Sequence, residues 1–352
     1  MPYGTHSVTD LLTVTNQSVA AFGEDKTFER ISDYLAAHNQ IMLEQMSMLV
    51  GEATSDRQRR VGGLATMQMA EVDEYGRVDA QKIGTGATVG FPLRMYAISL
   101  QWTRKYLQQV TPAELAAQVE ATRTADVLNI QNALRRALFT PTNSTFTDRL
   151  VDNVDLAVKA LINADSFPIG IGPNGETFDT STHTHYIARV AALAASDVAA
   201  VINHVTEHYN NGAIKLYINQ AQEAAIRAMT PNFVAYVDAR IVQGSANTFA
   251  TGTLDTNNVY NRAIGLFNQA EVVVKPWIPA NYMVAWMEGA QKPLVWRERT
   301  AGSSALVLDY DNETFPLRAH RLGREFGIGV NERTAAAVLF TGGTGYVTPV
   351  FA

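Results

Sequence analysis

The chain has 352 residues, 47% of them apolar and 18% charged, with a formal net charge of −6 and no cysteine. This length accommodates two or three domains with sizeable cores, and the lack of thiols excludes disulfides, thiolate zinc sites and cysteine nucleophiles. The acidic balance gives no drive for strong non-specific DNA binding, which needs clustered Lys and Arg. No basic stretch followed by an apolar core opens the chain, so no secretory signal is expected, and a reducing cytoplasm is the expected place of synthesis. No window of about 18 residues is free of charge, so no membrane span is expected. The most apolar helix candidate, Tyr186–Val205, is interrupted by Arg189 and Asp197.

Residues 1–57 start polar and become helical from Thr27, where Phe28, Ile31, Leu35, Ile41, Met42, Met46 and Leu49 trace an approximate apolar face. The run Arg59–Leu107 reads as extended. It passes from RRVGGLATMQMAEV through a turn at Asp73-Glu74-Tyr75-Gly76 and returns as GRVDAQKIGTGATVGFPLRMYAISLQW, a hairpin signal. A lone hairpin buries too little apolar surface to be stable in water. With nothing adjacent in sequence to cover it, burial is expected from a second copy of the chain.

The clearest local signal follows in TPAELAAQVEATRTADVLNIQNALRRALF. Thr111 caps the helix, Pro112 takes its first position and Glu114 completes a capping box. Arg135 and Arg136 occupy the last turn, where the helix dipole favours cations, and Thr140-Pro141 ends it. About 28 residues at about 1.5 Å each make a rod of roughly 40 Å, the length of a structural spine.

Beyond a Gly/Pro/Asn loop, FPIGIGPNGETFDTSTHT, the pattern predicts a second helix over Tyr186–Tyr209 carrying Ile187, Val190, Ala194, Val198, Val201 and Val205. Asn210-Asn211-Gly212 would stop it. AIKLYIN then reads as a strand, QAQEAAIRAM as a helix and VAYVDARIV as a short strand before a polar loop at Gln243–Asn258. AEVVVKPWIPANYMVAWMEGAQKPLVWRER reads as strands broken at Pro276 and Pro279, and LGREFGIGVNERTAAAVLF as one long strand. Helices early and strands late predict an α+β fold.

Chemistry-bearing motifs are few. His204-Val205-Thr206-Glu207-His208 fits the H-x-x-E-H pattern, in which two histidines one helical turn apart share zinc and the Glu acts as base. Here it sits in a terminal turn, where dipole and packing alone explain histidine. His183-Thr184-His185 could chelate but is read as an exposed polar loop. Gly170, Gly172 and Gly175 form a literal G-x-G-x-x-G, yet Pro168 and Pro173 flank or interrupt it and no helix follows, so it reads as a turn, as does TGGTG near the C-terminus. Arg57, Arg59 and Arg60, with Arg77 and Lys82 on the hairpin, form a basic set suited to fixing the register of an arm on a neighbour. Trp102, Trp277, Trp286 and Trp296 are expected as core or interface anchors. No catalytic residue, cofactor or metal is expected, a zinc hydrolase on His204, Glu207 and His208 being the alternative of another class.

The order of these elements resembles the major capsid proteins of tailed bacteriophages of the Hong Kong 97 type over roughly Phe28–Tyr346. The resemblance rests on the extended loop at 59–107, the spine helix at 111–139, the strand-then-helix AIKLYINQAQEAAIRAM, the broken strands VVVKPWIPANYMVAWMEGAQKPLVWRER and the returning strand REFGIGVNERTAAAVLF. It implies an N-terminal arm (1–57), an extended loop (58–108), a peripheral domain (109–182), an axial domain (183–304) and a return to the peripheral domain (305–352). It further implies homo-pentamers and homo-hexamers closing into an icosahedral virion shell around double-stranded DNA. Assembly in the host cytoplasm is expected with a separate scaffolding protein, a portal and a decoration protein as partners, and no membrane. Arg59, Arg60, Arg77 and Lys82 become inter-subunit contacts. Some relatives weld subunits by a Lys–Asn isopeptide bond; Arg318–Ile328 contains no Asn, so no cross-link from Lys82 is expected, Asn331 lying further on. Only about a hundred residues precede the spine and the extended loop uses half of them, so no fused scaffolding domain is expected. Encapsulin shells share this fold and form the nearest rival reading.

Overall fold

A computed structural model describes residues 17–61, 69–72, 74–80, 86–190, 193–236 and 262–351. Ser18 caps a single turn, α1 (Val19–Phe22), and Gly23 at φ +114° lets the chain restart as α2 (Glu24–Met46). Ile31, Leu35 and Met42 of α2 are buried, whereas Ile41 is exposed, so the apolar stripe is narrower than the sequence implied. Three strands follow, β1 (Val50–Thr54), β2 (Gln58–Val61) and β3 (Ala87–Gly90), before β4 (Arg94–Thr103) and the short α3 (Arg104–Leu107).

The spine forms as expected, α4 (Pro112–Phe139). Thr111 N–H donates to Glu114 Oε2 at 3.0 Å, and Glu114 N–H to Thr111 Oγ1 at 3.4 Å, a capping box that satisfies two backbone donors at once. Next come β5 (Ser144–Thr147), β6 (Asp155–Val158), β7 (Tyr186–Ala188), α5 (Ala195–Thr206), β8 (Ala213–Ile218), α6 (Glu223–Arg227) and β9 (Phe233–Ala235). The chain closes with β10 (Arg262–Phe267), β11 (Ala270–Val274), β12 (Tyr282–Glu288), β13 (Leu294–Arg297), β14 (Val307–Thr314), β15 (Leu317–Val330) and β16 (Ala336–Phe340).

Seven strands form one sheet in the order β7-β16-β12-β8-β11-β10-β9. The inner strand β12 is buried on both faces, and the period-two alternation of a strand decides which core each residue enters. Tyr282, Val284 and Trp286 meet Ile130, Leu134 and Leu138 of the spine. Met283, Ala285 and Met287 meet Val198, Val201, Ile202 and Val205 of α5. A second sheet runs β1-β13-β15-β14 with β4 also on β15, and Trp296 stacks on Phe326 there at 4.7 Å. Trp102, Trp286 and Trp296 are all buried and Trp277 partly so, core anchors as read.

Three expected elements differ. The helix expected over Tyr186–Tyr209 is the strand β7 followed by the shorter α5. Tyr186–Ala188 pair in parallel with Val338–Phe340 of β16, and the Asp197 carboxylate accepts the Ala194 N–H at 3.1 Å to start α5 afresh. The long strand over 322–340 is two strands in different sheets, because Glu332 accepts from Thr334 N–H at 3.2 Å and from Thr334 Oγ1 at 2.7 Å, turning the chain after Val330. QAQEAAIRAM shrinks to a 3-10 turn at Gln220–Gln222 and the five-residue α6. Of VAYVDARIV, β9 covers the start, and its part beyond Tyr236 lies outside the described residues, as does the loop Gln243–Asn258.

The extended loop is also rearranged. β2 and β3 pair over four residues each, from Gln58 opposite Gly90 to Val61 opposite Ala87. The described residues between them are without strand and exposed, with Gly76 at φ +67° in the turn. The returning strand does not extend this hairpin. β4 pairs along ten residues with β15, Arg94 opposite Phe326 through Thr103 opposite Leu317, so its burial comes from within the chain.

One buried network joins α2, α4 and β15. Arg324 Nε and Nη2 donate to the two oxygens of Asp126 at 2.7 and 2.8 Å, Nη2 to Asn39 Oδ1 at 2.6 Å and Nη1 to Ser304 O at 2.7 Å. His38 Nε2 sits 2.9 Å from Asp126 Oδ2. Removing one partner of such a pair leaves an uncompensated buried charge. Asp126→Ala is therefore expected to cost about 3–5 kcal/mol in urea unfolding of the unassembled subunit, whereas the double change Asp126→Leu with Arg324→Met should recover most of it. A loss below about 1 kcal/mol for the single change would show the network to be incidental.

Candidate functional site

Two regions carry the residues singled out from sequence: the root of the extended loop, and the junction of the 166–185 loop with the end of α5. At the root, close backbone crossings demand glycine. A Cβ at Gly327 would lie 1.6 Å from Pro92 O, one at Gly329 2.5 Å from the Phe91 ring, and one at Gly90 2.7 Å from Leu156 Cβ. These glycines let residues 90–92 lie flat across β15. Phe91 and Leu93 are thereby buried. Arg297 clamps the crossing from below, Nη1 donating to Phe91 O at 2.6 Å while Nη2 pairs with the buried Asp148.

The basic set divides at this root. Arg59 is turned inward: its guanidinium donates to Asn331 Oδ1 and lies 5.9 Å from the Phe91 ring centroid. Asn331 Nδ2 donates to Lys292 O at 3.0 Å, so this carboxamide is engaged within the subunit. Arg57 pairs with Asp152. Arg60, the alternate residue of β2, and Arg77 on the arm are exposed. Lys82 lies outside the described residues. Arg59 is thus a positioning residue of the root, and Arg60 and Arg77 keep the exposure that an inter-subunit contact needs.

A surface that sequence reasoning missed is the edge strand β14. All eight of its residues are exposed, including Val307, Leu308 and Tyr310, and Phe315 at the following turn is 81% exposed. Its signal is weak, since VLDYDNET mixes charge and apolar residues without alternation.

The second region overturns two expectations. H-x-x-E-H spacing predicts His204 and His208 on one helix face, but α5 ends at Thr206. His204 Nδ1 instead meets Glu207 Oε1 at 2.8 Å, and His208 turns away to stack on His185 at 5.1 Å and to contact Phe178 at 4.2 Å. The 183–185 pair is not simply exposed, as His185 is only 1% exposed. The polar loop folds back over the end of α5. Its Gly172 N–H donates to Glu176 O at 2.8 Å, and a Cβ at Gly172 would sit 2.8 Å from Glu207 O, so the G-x-G-x-x-G is a turn packed on α5. His183 Nε2 then lies 3.1 Å from His208 Nε2 and 3.5 Å from Glu207 Oε1. Burial pushes His208 down to about 3, with His183 and His204 adding to it. Burial likewise drives His185 well below the usual imidazole range and lowers His183 against the opposing pull of Glu207.

No protein-family model and no curated protein matches the chain by sequence. Solved structures do match by shape. A chain of Mycobacterium phage Patience aligns with a TM-score of 0.67 at 20% identity, covering 99% of this chain and 96% of its own. A chain from the capsid of a native GTA particle aligns at 0.50 and 13% identity, covering 85% and 90%. The fold is that of Hong Kong 97-type capsid subunits. An encapsulin from Synechococcus elongatus aligns at 0.43 and 10% identity over 99% and 96%. The α+β class is as read, and the spine α4 stands where it was expected.

The glycine seam gives a direct test. Gly327→Ala places a methyl group into the Pro92 carbonyl, which neither backbone can relieve without leaving its sheet. The expected outcome is a loss of about 3 kcal/mol or more, as the 91–93 crossing is displaced from β15, together with protease cleavage within 86–93, read by limited proteolysis and mass spectrometry. Wild-type protection of that segment in the variant would contradict the seam's role.

Proposed function

We propose that the chain is the major capsid protein of a tailed phage, assembling through pentamers and hexamers into an icosahedral shell around double-stranded DNA. The observation that carries this reading is the match of fold over almost the whole chain, 99% of it, at a TM-score of 0.67. Two features of the subunit support it. The arm leaves the root with Met69, Tyr75 and Val78 exposed, and the edge strand β14 presents Val307, Tyr310 and Phe315. Large exposed apolar side chains beside unpaired strand edges are interaction surfaces. Heterologous contacts around five- and six-fold axes close such surfaces into a shell.

The proposed division follows the sheets. The spine α4 with β4, β14 and β15 supports a peripheral body, and the seven-stranded sheet with α5 an axial one, into which β16 returns. A separate scaffolding protein, a portal and a decoration protein are the proposed partners, with the virion as location and the host cytoplasm as place of assembly. Arg60 and Arg77, with Lys82, are the proposed contacts of the arm. No catalytic step is required of this role. Among the described residues no helix is long and apolar enough to cross a membrane.

Negative-stain electron microscopy of the purified chain tests the reading. Closed icosahedral particles containing nucleic acid are expected on expression with the native scaffold. Particles holding an enzyme cargo would favour an encapsulin, and a monomer that stays monomeric would refute both. Replacing residues 62–86 with a short Gly/Ser linker leaves the seam and β3 intact. That variant is expected to keep wild-type circular dichroism while forming no closed shells; normal shells would refute the role of the arm.

A further inference from the structure

We infer that His183, His185, Glu207 and His208 form a structural site for a divalent borderline cation, with zinc the best fit. Three ligand atoms already make a triangle. His183 Nε2, His208 Nε2 and Glu207 Oε1 are separated by 3.1, 3.5 and 3.7 Å. Ligands about 2.0–2.1 Å from a tetrahedral zinc lie roughly 3.3 Å from one another, so these edges are those of one face of the coordination tetrahedron. His185 would supply the fourth corner: its ring nitrogen lies within 4.8 Å of those of His183 and His208, and coordination would draw it in towards Glu207.

His185 is the independent observation that points to a ligand. Its ring is buried, and neither Nδ1 nor Nε2 has a hydrogen-bond partner. An imidazole always carries at least one N–H and usually one lone pair, and buried polar groups are otherwise nearly always satisfied. His183 and His208 face each other nitrogen to nitrogen, an arrangement in which a single shared proton satisfies one ring's lone pair and leaves no further partner. A cation satisfies all three lone pairs together. Burial keeps these rings in the neutral form that binds metal. His204 Nδ1, 2.8 Å from Glu207 Oε1, is placed to hold the carboxylate in its binding orientation.

The donor set argues for the class of ion and for its role. Three imidazoles and one carboxylate, without thiolate, suit zinc and its late first-row neighbours rather than calcium or magnesium. Four protein ligands leave no open position for an activated water, which marks a structural rather than a hydrolytic centre. Its ligands come from two segments: the loop that leads into β7, with His183 and His185, and the turn after α5, with Glu207 and His208. The ion would staple them, and His185 O also accepts the Val338 N–H of β16 at 2.9 Å, tying the staple to the seven-stranded sheet.

The experiment uses the full chain without a polyhistidine tag, stripped with EDTA, reloaded with zinc chloride and desalted. Expected are retention of stoichiometric zinc by elemental analysis and a cobalt-substituted protein with intense tetrahedral d–d absorption. Unfolding should also shift upward by about 4 °C at zinc a hundredfold above its dissociation constant. His185→Gln and His208→Gln should lose stoichiometric retention, and His204→Gln should weaken affinity by about 10–100-fold while still saturating. Zinc that washes out of the wild type, a weak octahedral cobalt spectrum, or undiminished retention in folded His185→Gln would each overturn the site. The cobalt spectrum of the wild type decides the matter even where a variant fails to fold.

Discussion

The Arg324–Asp126 pair is the constraint on which the rest of the subunit depends. Asp126 lies in the middle of the spine on its buried stripe, and Arg324 lies midway along β15. A buried charge is tolerated where its partners satisfy it, and here they arrive from three segments: Asp126 of the spine, His38 and Asn39 of α2, and the carbonyl of Ser304. The two elements therefore meet in one register only. A slip of β15 by one residue would send Arg324 to the opposite face and strand both charges. Fixing β15 against the spine also fixes β4 along its ten-residue ladder, and through β4 the direction in which the extended loop leaves the body.

That direction is sharpened by the glycine seam. The chain crosses β15 at Pro92 with backbone on backbone, an approach possible only over Gly327 and Gly329. Arg297 then fills the space beneath, bridging Phe91 and Asp148. A second buried ion pair thus anchors the root, although it is less fully satisfied than the Arg324 network, Asp148 Oδ1 and Arg297 Nε having no hydrogen-bond partner. Between them the arm is rigid at its base and exposed beyond it, the mechanical property required of a limb that must reach a neighbour at a set angle in the proposed shell.

What the sequence revealed tracks how local each signal was. The spine was legible to the residue because Thr111, Pro112, Glu114 and Thr140-Pro141 act within one turn of its ends. The arm was legible as extended but not in its pairing. β4 is claimed by β15, more than about two hundred residues away, and long-range pairing overrides a local hairpin signal. Tyr186–Val205 failed for the same reason: its apolar spacing suits a helix, but parallel pairing with β16 draws the first three residues into a sheet. The histidines were legible as two short motifs, but not in their packing against one another. Nothing in HTH or HVTEH says that α5 stops at Thr206 or that the Gly172–Gly175 turn folds the loop back upon it.

The two sheets differ in how their strands are covered. α5 and the spine bury both faces of β12 in the seven-stranded sheet, and its exposed apolar side chains, Val234 and Leu266, lie on β9 and β10 at one edge. The second sheet differs, because β15 uses its neighbours on both sides and leaves β14 as an uncovered edge, eight exposed residues long. Proteins that stay monomeric blunt such an edge with proline, inward charge or a covering helix. Here charge is present at Asp309, Asp311 and Glu313, but Asp309 pairs with Arg321 and Asp311 with Arg318 across the ladder, which neutralises the repulsion that would deter a second strand. Tyr310 and Phe315 remain outward beside it. The edge is thus left competent for pairing on the same side of the molecule as the sheet that directs the arm. A strand added at β14 would be held by backbone hydrogen bonds that the Arg321–Asp309 and Arg318–Asp311 pairs leave unopposed, at an angle set by the twist of β15 and so by the spine.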